Sequence, residues 1–337
     1  MQIEGTILRG RDFEAVEGRV IVEDGEIEAI EETAVESDDV VCPAFVNAHT
    51  HIGDSIAKEA GRGLSLDELV APPDGLKHRL LRAASREEMV DAMAESLSFM
   101  AQTGTASCLE FREGGVEGVY AIREAAEGMD IDPVVLGRES VKALEAGDGY
   151  GASGARHGDF GRERNAAREA DKLFAIHAGE RDPADINPAL DLRPDLLVHM
   201  VHAQPIHLDR VEDEDIPIAV CPRSNLVTDV GLPPIRELLD RTTVALGTDN
   251  VMLNSPSMFR EMEFAAKCCD VTAVEVLRMA TIAGAEIAGL NCGLIEPGRD
   301  AKLFVLDGDT PNLSGVRDPV RAVVRRAGAA DVKRLVL

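Results

Sequence analysis

Between residues 40 and 250 the chain alternates short, apolar, β-rich runs with longer stretches of helical period, and this alternation most restricts what it can fold into. Strands buried on both faces read as short continuous apolar runs, and their alternation with helices is the mark of a parallel sheet with βαβ crossovers. Eight such runs follow one another: VVCPAFVNAHTH, GTASCLEF, VVLGRES, GYGASG, LFAIHAGE, LLVHMVHA, IPIAVCPRSN and TVALGTDN. The fourth is the weakest strand, because its glycines have no side chain to pack. Helical stretches lie between them, for example 86–102 and 163–171. Eight units close a (β/α)₈ (TIM) barrel, a fold of about 250 residues, and the 337-residue chain leaves enough over for a small companion domain.

The two ends supply that companion. GTILRG, RVIVEDG and EIEAIEE near the start, and AKLFVLDG, AVVRRA and KRLVL near the finish, read as short strands broken at glycine. They are too far apart in sequence for a local hairpin. The expectation is an α/β protein with a barrel at 43–294 and a small β-sandwich domain built from 1–42 and 295–337.

Composition narrows the function classes. With 61 acidic against 35 basic residues the formal charge is −26, which repels nucleic-acid phosphates and anionic membranes. Only 7 of the basic residues are lysine, so the acidic, lysine-poor surface reads as that of a salt-loving organism. The six cysteines form no Cys-x-x-Cys pair, and most sit in apolar runs as small buried hydrophobes. The N-terminus has no apolar signal region, and no run of 18 apolar residues occurs. A soluble, cytoplasmic protein acting on a small molecule is expected, with no nucleic acid or membrane partner.

The chemistry lies at the strand ends. His49, His51, His177, His199 and Asp249 all fall at or near the C-terminal ends of expected strands, the face that carries the active site in (β/α)₈ barrels. On a strand, residues two apart point to the same side, so His49 and His51 aim at one point. His177 adds a nitrogen from another strand and Asp249 a carboxylate from the last. Four such ligands around one divalent metal leave a position for water, as catalytic sites require. Imidazole and carboxylate suit zinc and ferrous iron alike, and zinc is the first expectation with iron as the alternative. Glu180, three residues after His177, is either placed to face bound water or substrate as a general acid/base or is one more exposed loop carboxylate of an acidic protein. His202 and His207 read as satisfied polar groups, and His78 and His157 as surface.

Taken together, PAFVNAHTH, AIHAGE, LVHMVH, CPRSN and LGTDN, in that order, resemble the amidohydrolase superfamily, in its deaminase and chlorohydrolase (cytosine deaminase-like) branch. The ends are similar too, through GRVIVEDGEI and IEPGRDAKLFVLD. With the acidic composition, the resemblance implies a haloarchaeal member. It implies that His49, His51, His177 and Asp249 hold the metal, that Glu180 shuttles protons, and that His199 orients the nucleophilic water, with Asp249 also taking part in the proton transfers. No lysine stands at an expected strand end to form the carbamate bridge of two-metal members, so one metal is implied. Many members are dimers or larger, which leaves a homo-oligomer open. The implied activity is hydrolytic deamination of a purine-, pyrimidine- or pterin-like ring. The alternatives are hydrolysis of a cyclic or linear amide, a chlorohydrolase-like reaction, and a non-catalytic member of the fold. The segment after His51 is shorter than is typical of the branch. Asp54, Arg112, Glu113 and Arg138 stand near strand ends, either facing the pocket or pairing with neighbouring acids at the rim.

Overall fold

The computed structural model describes residues 1–336. It contains fifteen strands in two sheets. The first four are β1 (Gln2–Arg9), β2 (Glu14–Glu23), β3 (Glu26–Glu32) and β4 (Val40–Pro43). Then come β5 (Phe45–His51), β6 (Thr105–Arg112), β7 (Asp132–Gly137), β8 (Gly149–Ala152), β9 (Leu173–Ala178) and β10 (Leu196–His199). The last are β11 (Ile218–Val220), β12 (Val244–Leu246), β13 (Asp249–Asn250), β14 (Leu303–Leu306) and β15 (Val332–Val336).

Strands β5 to β13 form a wholly parallel sheet in the order β12-β11-β10-β9-β8-β7-β6-β5-β13. Segment 244–250 curls this sheet into a ring. Its first half, β12, pairs with β11, and its second half, β13, pairs with β5. The break falls at Gly247–Thr248. There the Asn47 side chain stands in for the ladder, accepting from Thr248 N at 3.0 Å and donating to Thr248 Oγ1 at 2.7 Å. The glycine is required, because a Cβ at 247 would lie 2.7 Å from His49 Cβ. Helices cross between the strands, and the aliphatic residues of both form the main core. The arrangement is that of a (β/α)₈-type barrel. The helix at Arg86–Gln102 opens on a capping box between Ser85 and Glu88, matching its expected start.

Both chain ends meet in the second sheet, ordered β15-β14-β4-β1-β2-β3. Its buried face is aliphatic, with Ile3, Ile7, Val20, Ile27, Val41 and Leu303. What the ends build is one mixed six-stranded sheet; a second sheet facing it, as a sandwich needs, is not among the described strands.

Two further details depart from expectation. The run 40–51 is two strands: β4 belongs to the small sheet and β5 to the barrel, the chain changing sheets at Ala44. Most of AVVRRA is helical, its first four residues closing the helix Pro319–Arg325. Asp318 caps that helix, Pro319 takes its first turn, and Val320, Val323 and Val324 at helical spacing bury into the barrel's core. The β-branched valines suggest a strand, but cap and packing outweigh that propensity.

Candidate metal centre and active site

The expected residues converge. His49 and His51 lie on β5, His177 on β9, His199 ends β10, Asp249 begins β13, and Glu180 follows β9 by two residues. His49, His51, His199 and Asp249 are buried, and His177 and Glu180 are partly so. His49 Nε2 stands 3.1 Å from Asp249 Oδ1, and His51 Nε2 3.7 Å from the same oxygen. His51 and His177 bring their Nε2 atoms to 3.4 Å. His199 Nε2 lies 3.6 Å from Glu180 Oε2.

The tautomers follow from the partners of the outer nitrogens. His177 Nδ1 faces the Ala152 carbonyl at 2.8 Å, and His51 Nδ1 faces the Phe111 carbonyl at 3.2 Å. A carbonyl only accepts, so each Nδ1 carries the proton and each Nε2 presents a lone pair. Burial holds His177 well below the usual imidazole range, and burial followed by the Lys77 charge pushes His51 down to about 3. His49 is lowered by burial as well. Two neutral nitrogens thus point lone pairs at each other beside a carboxylate. That arrangement is repulsive by itself and suits a cation between the groups. Burial alone would raise Asp249, but the hydrogen bond and charge of His49 outweigh it and hold Asp249 well below the ordinary carboxylate range. Groupings of His49, His51 and Asp249, of His49, His177 and His199, and of Glu180, His199 and Asp249 each bring donor atoms within 4.8 Å of one another. The donor set fits a divalent metal ion.

The backbone is unusual at the same places. His199 has φ 78° and Asp249 φ 57°, the left-handed region that non-glycine residues avoid. Such strain costs about 1–3 kcal/mol per residue and persists where the surroundings over-determine it.

Two residues without an expected role complete the inner shell. Both lie on the short helix Pro222–Val227 after β11, within the CPRSN segment. Ser224 Oγ donates to Asp249 Oδ2 at 2.5 Å, and the Asn225 amide stands 3.1 Å from His199 Nδ1. A serine and an asparagine opening a helix read as ordinary capping residues, so only their place after a barrel strand could have marked them. Lys77 was also missed. It sits on the helix Leu76–Ala83, and its ammonium lies 2.9 Å from both Asp54 Oδ2 and Glu113 Oε1. Arg138 pairs with Glu113 at 2.5 Å and also lines the cavity over the site, and Arg112 lies 3.8 Å from Glu110. His78 is partly buried, with Nε2 3.1 Å from the Val70 carbonyl, rather than on the surface, because its helix packs over the barrel mouth. His157 is exposed, and His207 accepts from Gln204 N at 3.1 Å at the start of its helix.

A cavity opens over this centre, lined by His51, His177, Glu180, His199, Asp249 and Lys77 among others. Burial raises the Glu180 carboxyl, against the opposing pull of His199. No helix among the described residues is long and apolar enough to cross a membrane.

Comparison with known proteins agrees with this architecture. An uncharacterized protein of the archaeon Methanocaldococcus jannaschii is 34% identical, over 98% of this chain and 96% of its own length. A 5-methylthioadenosine/S-adenosylhomocysteine deaminase of Halobacterium salinarum is 28% identical, over 100% of this chain and 90% of its own. Among solved structures, a zinc-bound adenosine deaminase of Xanthomonas campestris superposes with a TM-score of 0.83 at 18% identity, covering 99% of this chain and 90% of that one, a likeness of fold. These two sequence relatives are both archaeal. The sequence profile described as the amidohydrolase family matches residues 40–336, and the chain belongs to that family.

Proposed function

We propose that this amidohydrolase is a hydrolytic deaminase of an amino-bearing heterocycle, with His49, His51, His177 and Asp249 holding one zinc ion. The reading rests on one observation above the others: the Nε2 lone pairs of His51 and His177 face each other at 3.4 Å beside Asp249, with Glu180 and His199 adjoining. Imidazole and carboxylate suit zinc and iron alike; the choice of zinc leans on the zinc-bound adenosine deaminase of similar fold. The same reading treats 43–294 as the catalytic barrel and 1–42 with 295–337 as its companion domain.

His49, His51, His177 and Asp249 would hold the metal, which when bound would supply a water acidic enough to serve as nucleophile near neutral pH. The residues then divide the work. Asp249 is steadied by Ser224 through its second oxygen, so it holds a fixed position for the proton that the water gives up. His199, steadied by Asn225, orients the water. Glu180 faces the cavity with a raised pKa and gives a proton to the ring nitrogen next to the reacting carbon. Water adds to that carbon, the proton held at Asp249 passes to the amino group, and the carbon–nitrogen bond breaks as the new hydroxyl returns a proton to Glu180, so that ammonia leaves and a carbonyl with a protonated ring nitrogen remains.

The test is ammonia release by the purified, zinc-loaded protein in concentrated salt, from a panel of aminopurines, aminopyrimidines and aminopterins. At least one is expected to release ammonia in step with its hydroxy product. Silence across that panel, with turnover of cyclic amides or chlorinated triazines instead, replaces deamination by the second reading.

A further inference from the structure

The charged cluster beside the histidines plays no part in the reaction as described, yet it reaches the metal centre at one atom. Glu113 Oε1 lies 3.3 Å from His51 Nδ1, 2.9 Å from Lys77 Nζ and 2.5 Å from Arg138 Nη1. Lys77 Nζ also reaches Asp54 Oδ2 at 2.9 Å. All four charged residues are buried, at 1–8% exposure. The outer nitrogen of His51 therefore faces two acceptors, the Phe111 carbonyl and Glu113, and its proton is pinned on that side. A carboxylate behind a ligating imidazole fixes the ring and makes the ligating nitrogen more basic.

Lys77 comes from a different part of the chain. It belongs to the segment between β5 and the helix at 86–102, which forms one wall of the cavity through Leu66, Val70, Ala71, Pro72 and Lys77. Glu113 follows β6, on the next β/α unit. The ammonium is thus a bridge between the cavity wall and the carboxylate that touches His51.

We infer that Glu113 is a positioning residue for the metal ligand His51, and that Lys77 holds Glu113 in place, so that the cavity wall and the metal centre form one unit. The inference rests on the metal reading above. It differs from a cluster that only neutralises itself, because it requires metal binding to respond when the cluster changes.

The test measures metal affinity of the full-length chain by chelator competition with zinc and with cobalt, and records the visible spectrum of the cobalt form. Glu113→Gln is expected to weaken binding about 10- to 100-fold, the range found when such outer partners of metal ligands are removed, and to shift the cobalt bands. Lys77→Gln should act in the same direction, and Lys77→Arg should recover most of the affinity, since it restores the cation. Removing one charge from a buried cluster can unfold a protein. The double variant Asp54→Asn with Lys77→Gln, which removes one charge of each sign, is therefore measured alongside, with circular dichroism on all forms. Folded variants that bind metal within about twofold of the parent, well short of that range, overturn the inference and leave the deaminase reading standing. A parent chain that binds no metal overturns the metal reading itself. A parent that binds metal but releases no ammonia removes only the substrate assignment.

Discussion

The barrel mouth has two sides that avoid the cost of buried charge in opposite ways. On one, His49, His51 and His177 are driven toward neutrality and leave their nitrogens turned on one another and on Asp249. On the other, Asp54, Lys77, Glu113 and Arg138 stay charged and neutralise each other at 2.5–2.9 Å. A buried charge is tolerated only when paired. The charged side meets that condition from within, whereas the histidine side meets it only with a cation from outside. The difference teaches which side is the site: the half whose charges are paired among themselves supports, although oxygens of Asp54 and Glu113 lack hydrogen-bond partners, and the half whose nitrogens are left without a cation binds.

The largest effects should come from the incomplete side. His177→Ala is expected to lose the metal and all turnover, because its nitrogen has no substitute on β9. Metal analysis of the purified variant checks this, and full occupancy would remove His177 from the ligand set. Glu180→Gln is expected to keep the metal and lose about 10²- to 10⁴-fold in turnover, the usual contribution of a positioned acid/base. Parallel measurement of metal content and ammonia release separates the two roles. A Glu180→Gln variant that turns over at the parent rate breaks the assignment.

The incomplete side was also the more legible in sequence. His49 and His51 share a face by strand alternation, and His177, His199 and Asp249 each mark the end of an apolar run, so local periodicity placed them. The supporting side was obscure for a physical reason. Lys77 is buried by a helix whose packing depends on residues from other β/α units, and nothing in its neighbours LKHRLLRA signals that. Ser224 and Asn225 look like capping residues until the barrel turns them toward Asp249 and His199. The barrel strands were readable for the same reason as the histidines, whereas the switch between sheets at Ala44 lies inside one apolar run. The helix Pro319–Arg325 reads as strand from its valines; its cap, Asp318, was the available signal.

A smaller effect tests how tightly the histidine side is held. Gly247 passes so near β5 that an added Cβ would meet His49 Cβ at 2.7 Å and His49 N at 2.8 Å. Both are parts of the backbone or of its first side-chain atom, so neither can swing aside. Gly247→Ala should cost about 1–3 kcal/mol of stability, as overpacking does, and should weaken metal binding by displacing His49. Denaturant melts with and without metal check both effects. An unchanged midpoint in both would show that the β12–β13 break is looser than its contacts imply.

The smallest effect concerns the limit of the charged side's self-sufficiency. Beside that cluster, Glu110 is less well compensated: it accepts from Ile52 N at 2.7 Å and Thr50 Oγ1 at 2.8 Å, but its nearest cation, Arg112, stands 3.8 Å away. Burial wins, and the carboxyl is pushed up from 4.5 to about 7. The folded state therefore holds this proton more tightly than the unfolded chain. The stability it contributes is fully present below pH 4.5 and is lost as pH rises through 7. Over that window the slope from one such group is at most about 1.4 kcal/mol per pH unit. Glu110→Gln cannot titrate, so its stability relative to the parent should improve from pH 5 to pH 8. Urea melts at the two pH values give the difference. If the difference does not change with pH, Arg112 compensates Glu110 despite the 3.8 Å gap, and the charged side's self-sufficiency extends to it.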